Sequence, residues 1–380
     1  MHYPWWYVPF ITSPMLIAAV ATIHIFVAMY AVGGGMFLAV EAHFAHRTQN
    51  RPYLAYLKDH AWFFILLTVV FGAITGVGIW WTIGLASPLA TEALIHIFVF
   101  GWAMEYVFFV IEIASAFLFY YFWDRLPPKT HTAFGYIYAV SAWISLVLIT
   151  SITAFMLNSG NWSANPTFWV AFFNPEFLPQ TIARTGGSLL LASLYVYLHA
   201  ALRTQDAPEL RALIARRSTR PGLLGAALVT VGGGWWLLAL PESARAALAA
   251  ASALNILMLL IFAVTIIVFA MLYLGPYRNP GWITPGFAIL LFAFGLAAIG
   301  TGEFLREAVR KPYIIYGVVL SNQIFADEVP SLRQTGYLEG GTWTRRYLAE
   351  RFPQVLDDQG HVEESALLAL DEAGRVEVGE

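Results

Sequence analysis

About eight long apolar runs, parted by short polar breaks, dominate this chain of 380 residues and commit it to a bundle of membrane helices. A helix needs about 20 predominantly apolar residues to cross the hydrocarbon layer. Runs of that length fall at roughly 14–42, 60–84, 91–122, 131–157, 180–202, 222–241, 247–273 and 283–309. Pro and Gly clusters punctuate them, at Pro127-Pro128, Asn174-Pro175, Pro221-Gly222, Gly275-Pro276 and Pro280. Only 12% of residues are charged, against about 25% in soluble domains, so soluble enzyme classes are excluded. No phosphate loop, dinucleotide fingerprint or nucleophile elbow occurs in context, and no nucleic-acid partner is expected. The fold class expected is all-α, a polytopic bundle of about eight transmembrane helices in two four-helix halves, over residues 1–312. Residues 313–380 read as an extracytoplasmic polar tail, too short for a large core and expected to pack on the bundle or a partner.

Basic residues alternate between the connections. Arg47, Arg51, Lys58, Arg125, Lys129, Arg203, Arg211, Arg216, Arg217, Arg220 and Arg278 all fall on one side. The other side's loops hold little more than Arg184 and Arg245. By the positive-inside rule both termini lie outside the cytoplasm. The N-terminus lacks a basic leader, and its Trp and Tyr residues suit an interfacial belt. With Cys 0 the sequence offers no disulfide, no thiolate-held iron–sulfur cluster and no covalent haem c attachment. A VGGG string occurs at Val32–Gly35 and again at Val231–Gly234, and chance in glycine-rich helices is favoured over a true duplication.

Glu105 and Glu112 lie within the run at roughly 93–122, which contains no lysine or arginine. Seven residues apart, they share one helical face. A charge at bilayer depth costs about 2.5–3.5 kcal/mol on insertion scales. These carboxylates must therefore meet a metal, a proton path or a cation from another helix. His24 lies deep in the first run, His96 near the outer end of the third and His199 near the inner end of the fifth. His43, His46, His60 and His131 sit at cytoplasmic helix ends, where solvated or interfacial imidazoles are expected. Two bis-histidine haems would need four well-paired buried imidazoles, a set not evident here. Glu303 and Glu307, beside Arg306, Arg310 and Lys311, read alone as a helix end with internal ion pairs.

The FWDRL string at Phe122–Leu126, preceded by Glu112, resembles subunit I of the cytochrome bd quinol oxidase family. His24 and Glu41 resemble that family's first-helix histidine and acidic residue, and Glu105 and Glu112 its third-helix glutamates. The family's glutamate spacing is one residue longer, so Met104 and Glu105 both stand for the first position. His131, Met156 and Asn158 match the following helix in style. Glu307, Arg310, Pro312 and Tyr313 reproduce an element whose glutamate ligates a high-spin haem in the family. The likeness spans roughly residues 14–315.

The resemblance implies haem b, one or more, with haem d as a further type, and iron ligation by His24 and Glu307. Glu105 would lie near or on the first haem, Glu112 would pass protons, and Arg310 and Arg184 would neutralise propionates. Met258 would be the low-spin haem's methionine, but Ala183 and Arg184 stand where its histidine is expected after Asn174-Pro175. The family's long quinol-binding loop is replaced by Pro241–Arg245 and a residue or two. Such a quinol-site-deficient branch implies a membrane oxidoreductase of the respiratory chain in a bacterial or archaeal plasma membrane. A c-type cytochrome or partner subunit would donate electrons, oxygen is the candidate acceptor, and a second membrane subunit is implied. A non-catalytic anchor or electron conduit and a proton-coupled transporter stand as alternatives.

Overall fold

A computed structural model describes residues 13–310, 313–321, 323–330, 348–359, 363–371 and 374, with Trp6 and Val8. Lys311, Pro312, most of the N-terminal aromatic belt and much of the polar tail lie outside the described residues. Among the described residues, eight helical stretches are long and apolar enough to cross a membrane. Helix α1 (Ser13–Arg47) is followed by α2 (Arg51–Ile65), whose first turn is capped by the Asn50 side chain accepting from the Tyr53 N–H at 3.1 Å. A six-residue π-helical segment, Leu66–Phe71, joins α2 to α3 (Gly72–Ala86) without breaking the rod.

The third apolar run is not one helix. It divides into α4 (Pro88–Ile97) and α5 (Val99–Tyr121) at Phe98, whose backbone leaves helical geometry (φ −113°, ψ 28°). The chain continues through α6 (Pro128–Phe155), the short α7 (Phe168–Phe172) and α8 (Phe177–Arg203). Helix α9 (Pro208–Ala239) begins well before its apolar run and carries Arg211, Arg216, Arg217 and Arg220 on helix rather than loop. Then come α10 (Glu242–Ala250), α11 (Ser252–Leu272) and α12 (Pro285–Val309), the last capped by Thr284.

Helices α1, α3, α5 and α6 form one half and α8, α9, α11 and α12 the other, meeting where α1 and α6 pack on α8. The close approach needs glycine: a Cβ at Gly33 would fall 1.9 Å from the Ser188 carbonyl oxygen, and one at Gly35 2.1 Å from the Tyr138 ring. The second VGGG string differs, since only Gly232 meets a neighbouring helix, whereas Gly233 and Gly234 face open space.

Beyond α12, strands β1 (Tyr313–Ile315) and β2 (Val319–Leu320) form a small antiparallel hairpin. Ile314, Ile315 and Val319 are buried against Leu94, Phe98 and Phe155. The start of the tail thus belongs to the end of the bundle. Further on, α13 (Glu364–Leu368) lies beside a small cluster of Leu348, Phe352 and Val355.

Candidate functional site

Helix α5 turns its two glutamates toward α6. Ser145 Oγ donates to Glu105 Oε1 at 3.4 Å, and the same hydroxyl lies beside the Glu112 carboxyl group. Glu112 Oε1 is buried without a hydrogen-bond partner. Among the described residues no ion pair reaches either carboxyl group. Met104 is 38% exposed on the outer surface, so Glu105 rather than Met104 faces the bundle. Ser145 is one residue that sequence reasoning missed, as are Thr75 and Glu176 below; one hydroxyl in an apolar helix carries no signal until the helix opposite is known.

His24 is fixed by α3. Its Nδ1 lies 3.0 Å from Thr75 Oγ1, and that hydroxyl donates to the backbone carbonyl of Phe71 at 3.0 Å or of Gly72 at 3.1 Å. With its one proton committed there, Thr75 accepts from Nδ1–H, which leaves the lone pair on Nε2. A second partner that sets tautomer and ring orientation is the usual support of a metal-binding histidine. Gly76 makes the approach possible, because a Cβ there would meet the imidazole Cε1 at 3.2 Å. The donor set therefore fits an iron at Nε2.

At the α12 end, acidic and basic groups gather under cover. Glu307 holds Arg306 through one oxygen at 2.7 Å and Arg310 through the other. Arg306 also lies 3.9 Å from Glu303 and donates to the Thr153 carbonyl at 2.9 Å. Arg310 is buried, donating to the Ile314 carbonyl at 2.9 Å; burial lowers its pKa, while Glu307 works against that shift. Arg184 reaches Thr150 Oγ1 at 3.5 Å and feels Arg306 and Glu303. Glu176, just before α8, is fully buried with both oxygens unpartnered, and burial raises its carboxyl to about 8, against the opposing pull of Gln180 and Arg306. Three arginines, Arg184, Arg306 and Arg310, thus gather with Glu303, Glu307 and the buried Glu176 in one cluster, a donor set that suits a propionate. Both oxygens of Glu307 are taken by arginines, so an iron there must displace one of them.

The position of the expected low-spin histidine does not fit a haem. A Cβ at Gly232 would stand 2.5 Å from the Ala183 nitrogen and 2.8 Å from the Pro179 oxygen, and one at Gly225 2.5 Å from the Gly186 oxygen. Helices α8 and α9 meet backbone to backbone. Met258 packs in an apolar cluster with Leu240, Leu248 and Leu305.

The remaining histidines divide. His96 is exposed, its Nδ1 on the Glu92 carbonyl at 2.9 Å. His60 and His131 are 0% exposed, which corrects the expectation of solvated rings: α1, α2, α6 and α8 converge at that end. His131 stacks on Phe119 at 4.3 Å and lies 3.2 Å from His46. Glu41 is likewise buried, clasped by Arg217 and by the Tyr53 hydroxyl at 2.8 Å. It ties α1 to α2 and α9.

Residues 13–255 match the family described as cytochrome bd terminal oxidase subunit I. Among solved structures the chain is similar to a bd oxidase from Geobacillus thermodenitrificans, with a TM-score of 0.71 at 18% identity, covering 84% of this chain and 92% of that one. At that identity the likeness concerns the fold. A comparison with curated protein sequences finds no match.

Proposed function

Because the chain belongs to the cytochrome bd terminal oxidase subunit I family, we propose that it is the haem-carrying membrane subunit of a respiratory electron-transfer complex. Electrons come from a c-type cytochrome or a partner subunit and pass to oxygen. The complex sits in the plasma membrane of a bacterium or archaeon, with both termini outside, and includes a second membrane subunit. The observation that carries this reading is His24, whose Nδ1 is spoken for by Thr75 while Nε2 keeps its lone pair. Bound there, haem supplies an iron that exchanges electrons and can bind oxygen.

The chain's own residues do the rest. Thr75 holds the imidazole. Glu105, Ser145 and Glu112 form a hydroxyl-bridged pair of carboxyl groups able to take up and pass on a proton, which gives ionisable groups at that depth a reason to exist. Arg184 and Arg310, within their buried cluster, offset propionate charge. The short α9–α11 connection gives quinol no such loop to bind. The test is a pyridine haemochrome assay with optical spectra on the purified complex. Non-covalent haem is expected in the wild type and its loss in His24→Ala; a colourless wild type ends the proposal.

The closed α8–α9 contact favours a second reading, a membrane anchor or electron conduit without chemistry of its own. Oxygen uptake driven by reduced c-type cytochrome separates the two. If the chain is catalytic, Glu112→Gln is expected to slow turnover by about 10²–10⁴-fold, the usual worth of a positioned proton-transfer group, with the haem spectrum unchanged. Equal turnover removes the glutamate from the mechanism. The transporter alternative gains no support from the family assignment.

A further inference from the structure

At the basic end of the bundle, α9 and α11 each carry a stripe of exposed side chains that changes character along its length. On α9, Arg216, Arg220, Leu224, Ala227 and Val231 follow at steps of three or four residues, so they share one helical face. That face is exposed throughout, basic at its start and apolar beyond. On α11 and the π-helical segment that continues it, Tyr273–Tyr277, the order is reversed. Phe262, Ile266 and Phe269 come first and Tyr273 and Tyr277 last, all of them exposed. The two polar ends meet at one height. A Cβ at Gly222 would lie 4.0 Å from Leu272 Cδ2, which sets Arg220, just before that glycine, level with Tyr273, just after that leucine.

That meeting point is built, not merely exposed. The Tyr273 and Tyr277 rings stack at 5.3 Å, and the Arg278 guanidinium lies 5.2 Å from the Tyr273 centroid. The Arg278 N–H also donates to the Tyr273 carbonyl at 3.2 Å. Gly275 lets the segment fold onto α12, since a Cβ there would meet the Phe287 ring at 2.6 Å. A guanidinium stacked on a ring keeps its edge N–H groups for an oxyanion. Among the described residues no ion pair engages Arg216, Arg220 or Arg278, whereas Glu41, Asp59 and Asp124 at the same end are held by Arg217, Arg203 and Lys58. Asp206 and Glu209 stand at the head of α9, with Glu209 two turns before Arg216. Charge at one end and hydrocarbon beyond it is the order of an acidic amphiphile. We propose that the α9–α11 corner holds an anionic phospholipid of the leaflet at the basic end. Its phosphodiester rests on Arg220 and Arg278 with Arg216 alongside, and its acyl chains follow the apolar parts of the two stripes. Tyrosines at headgroup level are the usual interfacial anchors, and basic pockets between membrane helices receive such headgroups. The site needs no haem and does not rest on the proposed function.

The test reads which lipid touches the corner. The purified complex is placed in bilayer discs of phosphatidylcholine carrying a trace of diazirine-tagged phosphatidylglycerol or, as the matched control, diazirine-tagged phosphatidylcholine. After irradiation the labelled peptides are mapped by mass spectrometry. Phosphatidylglycerol is expected to label the exposed stripe of α9 and residues 269–278 in preference to phosphatidylcholine. One arginine near an anionic headgroup is worth about a fivefold change in binding, so Arg220→Gln and Arg278→Gln should each lower the preference by about fivefold and the double variant by roughly twentyfold. Arg125→Gln removes an exposed charge at the same end but on the α5–α6 connection, and is expected to leave the preference as it was. Equal labelling by the two lipids in the wild type overturns the site. So does an Arg125→Gln loss as large as that of Arg220→Gln, which would reduce the effect to diffuse attraction. Labelling by neither lipid would mean that a protein covers the corner, and overturns it as well.

Discussion

Two glycine-lined contacts in this bundle use the same residue to opposite ends. Between α1 and α3, Gly76 admits the edge of the His24 imidazole and leaves one nitrogen free for chemistry. Between α8 and α9, Gly186, Gly225 and Gly232 admit a neighbouring backbone, and nothing the size of a macrocycle enters. Glycine permits close approach in membrane helices; what approaches decides whether a cofactor is held or shut out.

The largest effect should come from forcing the closed contact apart. In Gly225→Leu the first added carbon would lie 2.5 Å from a carbonyl oxygen of α8. Overpacking costs about 1–3 kcal/mol in ordinary cores and more against backbone. Loss of assembled protein on size-exclusion chromatography is expected, and a well-behaved variant would show the two helices to be separable. Next is Glu176, at the head of α8 on that closed side. Its carboxyl titrates near 8 in the folded chain and near 4.5 when free. Between those values the folded state holds a proton that the unfolded state releases, so stability is full below about 4.5 and falls as pH rises through about 8. The slope is at most about 1.4 kcal/mol per pH unit. Glu176→Gln should flatten that part of a melting-temperature profile, and an unchanged profile would mean water reaches the carboxyl group. Smallest is Thr75→Val on the open side, where losing a ligand's orienting partner typically costs about 10–100-fold in metal affinity. Haem retention under dilution measures it, and wild-type retention would show that Thr75 does not position His24.

Much of this could be read from residues in order, and the failures have physical causes. Spans long enough to cross a bilayer announce themselves by length, and all eight are present. The division at Phe98 does not, because no proline or glycine stands at it; there the Leu94 carbonyl accepts both the Phe98 N–H at 3.0 Å and Trp102 Nε1–H at 3.2 Å. The early start of α9 is hidden by its arginines, which resemble a loop until Arg217 is seen folded back on Glu41 and Phe44. Glu105 and Glu112 stand out as acids without a cation in their own helix, whereas Ser145 and Thr75 gain meaning only from the helix opposite. His60 and His131 sit close to polar connections in sequence and deep inside in space.

The π-helical segment at Leu66–Phe71 has a further consequence. Such a segment accommodates a residue beyond the α-helical repeat, and one residue turns the following helix by about 100°. His60 lies before the segment and Thr75 after it. One continuous rod therefore presents two unrelated faces, the first aimed at His199 and the second at His24. The segment works as a fixed angular offset, letting a single span meet His199 at one end and His24 at the other.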